Sequence, residues 1–115
     1  MSFKNEYAMG LAQWHSGLEQ GRFDREFGRI YGVDQVDNWR ANYLEALAHF
    51  AAYYGDGGEL VIARCPGQMN AMGMHVDYGG APSLRLAVRG ADTLVVARKA
   101  VESKRVRLAS LLRCP

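Results

Sequence analysis

The stretch CPGQMNAMGMHVDYGG, at residues 65–80 of this 115-residue chain, decides how the surrounding sequence is organised. Apolar residues 60–63 lead into it, and residues 84–88 leave it with alternating apolar and polar or small residues. A short apolar run bounded by glycine and proline, and an alternation of period two, are both typical of β-strands. The stretch is therefore predicted to be a loop between two strands. Loops held by rigid elements are where binding residues concentrate.

A first helix is predicted well upstream of this loop. Ser16 is a candidate cap, but Gly21 costs about 1 kcal/mol against alanine inside a helix. The helix is therefore expected to begin near Arg22 and to end at Gly32. Residues 1–15 show no clear period. The apolar stripe at helical spacing consists of Phe23, Phe27, Ile30 and Tyr31.

A second helix is predicted from Asp37, as its N-cap, to Gly55, which follows its last periodic residue. His49 lies beside the apolar stripe of this helix and is expected to be a partly buried helical histidine, not a ligand. The stripe consists of Trp39, Tyr43, Leu47, Phe50 and Tyr54.

The predicted strands all follow these helices, which indicates an α+β fold of N-terminal helices and then a mostly antiparallel sheet. The expected strands cover residues 59–64, 84–88, 93–98 and 104–112, with a hairpin turn at residues 90–92. Val106 and Leu108 are expected on one face of the last strand. An apolar hairpin face and an exposed strand edge invite association, so the chain is expected to be the front part of something larger.

Composition indicates a single globular domain, with 49% apolar and 23% charged residues. The net charge of +2 argues against a nucleic-acid partner. The two cysteines, Cys65 and Cys114, are too few for a disulfide framework, and Cys65 is expected to be a small buried thiol. Residues 1–9 do not resemble a signal peptide, and no run approaches the length of a membrane span. The chain is therefore expected in the cytoplasm, without a membrane partner.

The His-x-Asp pair in the central stretch is the strongest chemical feature of the sequence. In an extended segment His75 and Asp77 point to the same side, where an imidazole and a carboxylate can bind neighbouring hydroxyls through charge-assisted hydrogen bonds. A metal site formed with Cys65 is a rival interpretation, although such sites normally need three or four ligands at recognised spacing. A purely structural loop is the other alternative. The nearby methionines are expected to fill a pocket or the core.

Residues 64–80 resemble the N-terminal signature of galactokinase-type GHMP kinases. The likeness extends over roughly residues 22–112 and implies the N-terminal part of the GHMP kinase fold. It divides the chain into an N-terminal extension at residues 1–21 and a partial kinase domain at residues 22–115. The signature positions kept in register are Pro66, Gly67, Asn70, Gly73, His75, Asp77 and Tyr78.

The resemblance implies transfer of the ATP γ-phosphoryl group, with Mg²⁺, to the anomeric hydroxyl of a monosaccharide. It implies a substrate site formed by His75, Asp77, Tyr78 and Met74. Gln68 stands at the family's arginine and Met74 at its glutamate, so no residue is assigned a catalytic role. The resemblance also makes galactose itself doubtful, because a glutamate acceptor is absent.

The sequence contains no glycine- and serine-rich ATP loop, and no residues that bind ATP or Mg²⁺ are found. The chain is therefore expected to be an inactive fragment of a sugar kinase, completed by a missing C-terminal portion or a second chain. The alternative is a non-catalytic sugar-sensing or protein-interaction module on the same fold. A third possibility is a structural fragment that folds poorly alone.

Overall fold

The computed structural model describes residues 7–73, 77–100 and 105–110. Within these residues the chain forms three α-helices and a three-stranded antiparallel sheet, which confirms the predicted α+β class. The helices are α1 (Leu11–Glu19), α2 (Asp24–Tyr31) and α3 (Val36–Tyr54), and the strands are β1 (Met9–Gly10), β2 (Glu59–Met72) and β3 (Leu84–Arg98). Short 3₁₀ turns occupy Val33–Gln35 and Asp77–Gly79.

The helical region begins earlier than the sequence predicted. Helix α1 includes Ser16 in its interior, so the expectation that Ser16 caps a helix is wrong. The signal was present: Leu11, Trp14 and Leu18 recur at spacings of three and four, and the last two are buried. The helix starts after Gly10, whose amide donates to Gln13 Oε1 at 3.2 Å.

The two later helices match their predicted spans closely. Helix α2 begins at Asp24 and α3 ends before Gly55, whose amide donates to Ala51 O at 2.8 Å. Asp37, however, lies inside the first turn of α3 and not at its cap. Its carboxylate accepts a hydrogen bond from Arg40 Nη1 at 2.8 Å. His49 is partly buried, as predicted, and its Nε2 lies 3.7 Å from Glu45 Oε1.

The strand order is β1-β2-β3, and the β2–β3 ladder runs from Leu60 opposite Arg98 to Met72 opposite Leu84. Residues 65–72 of the predicted loop are therefore strand, and the expectation that a loop begins at residue 65 is wrong. Two register shifts interrupt the ladder, between residues 65 and 67 and between residues 70 and 72. Pro66 lies in the first shift, where no amide donor is needed for the ladder.

The hairpin turn predicted at residues 90–92 is also wrong, because these residues lie inside β3. Cys65 pairs with Thr93 and Gly67 pairs with Val88, so residues 89–92 form a bulge opposite Pro66 alone. Glycine and aspartate are common both in turns and in bulges, so the sequence signal was genuine but its structural meaning was different.

The described part of the last predicted strand, residues 105–110, has no regular secondary structure. Val106 and Leu108 are 85% and 89% exposed, and the strand predicted at these residues is wrong. Cys65 is exposed as well, contrary to expectation, and Cys114 lies outside the described residues.

The core lies between the helices and the half of the sheet nearest β1. Leu60, at the centre of the three strands, is fully buried, and its carbonyl accepts a hydrogen bond from Trp14 Nε1 at 3.0 Å. The rings of Tyr31 and Trp39 stack with centroids 4.0 Å apart. The buried core residues are Trp14, Leu18, Phe27, Tyr31, Trp39, Tyr43, Leu47 and Leu60. None of the described helices is both long and apolar enough to cross a membrane.

Candidate functional site

The described signature residues lie on a distal hairpin, which we define as residues 65–73 and 77–92, the part of β2 and β3 farthest from β1 with the described part of the connection between them. Most of its described residues are exposed, including Gln68 and the large apolar residues Met69 and Leu86. The helices pack against the other half of the sheet, through residues such as Ile62 and Val96. The described signature residues therefore lie on a mostly exposed strand pair that extends away from the helices.

Two signature glycines allow the backbone to pass where a side chain could not. A Cβ atom on Gly67 would lie 2.8 Å from the carbonyl oxygen of Ala91, in the bulge of β3. Gly73 has φ of +80°, and a Cβ there would lie 2.7 Å from the carbonyl oxygen of Pro82. Both positions require glycine because the obstacle is backbone, which cannot turn away as a long side chain can.

The two described residues among the predicted sugar-binding residues lie at the end of this hairpin. Asp77 and Tyr78 begin the 3₁₀ turn Asp77–Gly79, and the Tyr78 side chain is 85% exposed. Met74 and His75 lie outside the described residues, so the predicted pairing of His75 with Asp77 stays a prediction. Gln68 lies on β2 opposite Ala87.

The metal alternative finds no added support in the described residues. Across residues 7–73, 77–100 and 105–110, no three His, Cys, Asp or Glu side chains are grouped in a way that could hold a metal ion. His75, one of the proposed ligands, lies outside these ranges.

Sequence reasoning missed a polar cluster at the base of the distal hairpin, centred on Asp92. The Asp92 side chain is 1% exposed, and its Oδ2 accepts a hydrogen bond from Tyr31 Oη at 2.8 Å and forms an ion pair with Arg64 Nε at 2.9 Å. Its Oδ1 is buried without a hydrogen-bond partner among the described residues. One sequence signal was available: Arg64 follows Leu60 and Ile62 on the helix-facing side of β2, where a cation needs a buried acceptor.

The cluster continues into the helices through Tyr31. Its hydroxyl lies 3.2 Å from that of Tyr43, and because Tyr31 donates its proton to Asp92, Tyr43 is the donor in this second bond. The Arg64 guanidinium lies over the Tyr31 ring, 5.5 Å from its centroid. Burial raises the pKa of Tyr31 well above its ordinary value, and the hydrogen bonds with Tyr43 and Asp92 raise it further. Burial is also the main reason why the pKa of Tyr43 is raised.

These raised pKa values predict a loss of stability in alkali. The ordinary tyrosine pKa is about 10, so above that pH the unfolded chain ionises while the folded protein keeps both hydroxyl protons. The stability that the two protonated tyrosines contribute is therefore complete below the tyrosine pKa of the unfolded chain. It is lost as pH rises towards the higher pKa values of the folded protein. Between about pH 9 and 11.5, the free energy of unfolding should fall less in Tyr31→Phe than in the wild type. The variant lacks one of the two tyrosines whose pKa is raised by folding.

Urea unfolding at a series of pH values measures this difference. The comparison below about pH 9 serves as the control, because it isolates the loss of the Tyr31 hydrogen bonds from any ionisation. Parallel pH profiles for the two proteins would contradict the prediction.

The fold and the hairpin together define an α+β domain that presents a glycine-rich strand pair as a candidate ligand site. Residues 48–99 match the family model of the galactokinase galactose-binding signature. The match begins within α3, ends just after β3 and contains the whole distal hairpin. Residues 48–99 are therefore similar to the galactose-binding region of galactokinases, which agrees with the resemblance seen in the sequence. A search of solved structures finds no match to this chain.

Proposed function

We propose that this chain is the sugar-binding N-terminal part of a galactokinase-like kinase, which binds a monosaccharide and does not transfer phosphate by itself. The observation that carries the proposal is the match of residues 48–99 to the galactose-binding signature. That match covers the glycines that shape the hairpin and the polar residues at its end.

The binding chemistry is that of hydroxyl recognition. Asp77 is the main acceptor, because an ionised carboxylate can accept hydrogen bonds from two neighbouring hydroxyls. His75 binds a further hydroxyl, and Tyr78 offers an exposed ring and a phenol. Met74 is apolar where the family has glutamate, so the sugar bound here makes fewer charge-assisted hydrogen bonds at that position.

The proposal includes a further portion or second chain that supplies ATP, Mg²⁺ and the phosphate loop. Support comes from the apolar character of exposed sheet residues: Leu84, Leu86 and Val95 are 50%, 46% and 49% exposed. The exposed face of an antiparallel sheet is ordinarily polar. Exposed apolar side chains along both ends of β3 therefore support a further structure that covers part of the sheet. Gln68 carries no charge, so stabilisation of the transferring phosphoryl group falls to residues of that portion.

The alternative is a sugar sensor without catalysis. Gln68 and Met74 favour it, because both replace charged residues of the family signature with neutral ones. The sensor and the kinase fragment share the sugar site and differ only in whether phosphate is ever transferred.

Asp77→Ala is expected to weaken monosaccharide binding at least about 100-fold, because it removes two charged hydrogen bonds worth about 1.5–3 kcal/mol each. Isothermal titration calorimetry with a panel of aldohexoses, D-galactose among them, measures the affinity. Asp56→Ala is the matched control, since Asp56 is exposed in the turn after α3 and its loss leaves binding unchanged. Equal affinities for Asp77→Ala and the wild type would refute the site.

Addition of ATP and Mg²⁺ to the same samples distinguishes the kinase fragment from the sugar sensor. The isolated chain is expected to form no sugar phosphate, and product formed by the purified chain alone would overturn its proposed incompleteness. A candidate C-terminal portion or second chain is then added to the mixture. The sensor is favoured if sugar binding stays unchanged and no phosphate is transferred.

A further inference from the structure

The bulge in β3 marks a weak point between the distal hairpin and the rest of the fold. The regular ladder stops at Cys65 opposite Thr93 and resumes at Gly67 opposite Val88. A bulge leaves residues unpaired and bends the strand, so the backbone ladder alone fixes the hairpin's direction poorly at this point. Something other than the ladder must hold the sugar site in a fixed position relative to the helices.

The Asp92 cluster crosses this weak point. Arg64 lies on β2 just before the interruption, Asp92 lies in the bulge, and Tyr31 lies at the end of α2. A single carboxylate oxygen, Asp92 Oδ2, accepts a hydrogen bond from Tyr31 and forms an ion pair with Arg64. The cluster thus joins both strands of the hairpin base to the helices.

We propose that Asp92 is a positioning residue for the sugar site: through Arg64 and Tyr31 it fixes the orientation of the distal hairpin on the helices. The inference rests on the proposed function, since the hairpin end is the sugar site only if that proposal holds. Asp92 itself lies at the hairpin base, away from the sugar residues at the opposite end of the hairpin.

Orientation explains the cluster better than simple stability does. Apolar contacts of Ile62, Leu94 and Val96 already hold the sheet on the helices without any polar group. Asp92 buries a carboxylate whose Oδ1 has no partner in the described structure, which is unfavourable for stability. Buried polar groups satisfied in only one geometry select that geometry over others, which apolar contacts do less strictly.

Two other sets of charged contacts, made by Arg98 and by Arg40, do not replace this one. Arg98 donates to the backbone oxygens of Tyr54 and Gly57 and so secures the opposite end of β3. Arg40 and Asp24 join α2 to α3 within the helices. Both contacts lie on the helix side of the bulge, so neither one restrains the distal hairpin.

Three variants test the proposal. Asp92→Ala removes every acceptor, whereas Asp92→Asn keeps a neutral amide oxygen that can still accept the hydrogen bond from Tyr31 but loses the ion pair with Arg64. Asp24→Asn is the control, because it weakens another aspartate–arginine pair, within the helices and away from the hairpin. Each is measured as the full chain, by amide hydrogen exchange and by calorimetric titration with the aldohexose that the wild type binds most tightly.

We expect Asp92→Ala to speed exchange about tenfold or more at residues 65–73 and 84–92, with little change in α1–α3, as local opening predicts. Sugar affinity should fall about tenfold in Asp92→Ala and less in Asp92→Asn, which restores part of the orientation. Asp24→Asn should leave both the hairpin exchange and the affinity at wild-type values.

Two outcomes would overturn the inference. One is exchange that rises uniformly over helices and hairpin, since that indicates a general stabilising role. The other is unchanged hairpin exchange in Asp92→Ala. If the wild type binds no aldohexose, the proposed function fails, but the exchange measurement still decides whether Asp92 orients the hairpin.

Discussion

Leu60→Ala is expected to lower the free energy of unfolding by about 2–5 kcal/mol, the range for a fully buried leucine cut back to alanine. Leu60 has no exposed surface and lies where all three strands meet. Its neighbours are the large rings and aliphatic groups of the core, which cannot collapse fully into the space left behind. Natural domains are stable by only about 5–15 kcal/mol, so this variant should show a large shift in its urea midpoint.

Leu86→Ala is the matched control for this change. It removes the same atoms from a residue that is 46% exposed on the distal hairpin. We expect a loss of less than about 1 kcal/mol, because little apolar surface returns to water and no cavity forms. Equal destabilisation by the two variants would show that the core is not centred where the structure places it.

Gly73→Ala is expected to disrupt the end of the distal hairpin and abolish sugar binding while the helices stay folded. Alanine at φ of +80° costs about 1–2 kcal/mol, and its Cβ would also lie 2.7 Å from Pro82 O and 2.9 Å from Ser83 Cα. These contacts are with backbone, so relief requires residues 82–83 to move away from β2. Circular dichroism and calorimetric titration with the same aldohexoses measure helix content and binding.

Two other glycines of the same hairpin separate the cost of the positive φ from the cost of the collision with the backbone. Gly80 has φ of +79° with open space around it, so Gly80→Ala carries the conformational cost without the collision. Gly79 has open space and no positive φ in this range, so Gly79→Ala should be close to neutral. We expect the losses to rank in the order Gly73, Gly80, Gly79. A Gly73→Ala protein that behaves like Gly79→Ala would contradict the described path of the chain.

The helices were predictable because their signals are local. Apolar side chains at spacings of three and four, followed by glycine, fixed α2 and α3 to within a few residues. Helix α1 escaped prediction because its stripe is short, although Trp14 and Leu18 carry the pattern and become core residues. The division of the chain into an N-terminal extension at residues 1–21 and a partial kinase domain at residues 22–115 stays a prediction.

Residues 65–72 of the distal hairpin were mispredicted as a loop because both faces of the strand are exposed there, whereas the strand predicted at residues 84–88 is confirmed. A strand reveals itself by alternation only when one face is buried and the other is solvated. Residues 65–72 have no such contrast, and their glycines and Pro66 are typical of turns. Their strand character comes instead from pairing with residues 84–93, which are distant in sequence.

The central stretch at residues 65–80 was recognised from sequence alone, and with it the galactokinase-type region, because its glycines and polar residues occur in a specific order. Local spacing also determined the fold class and the helices. Only the tertiary structure decided that the signature lies on a paired hairpin and that a bulge brings Asp92 to Arg64 and Tyr31. The physical reason is that strand register and buried polar contacts join residues from 12 positions apart, as for Met72 and Leu84, to 61 apart, as for Tyr31 and Asp92, and no local pattern encodes such contacts.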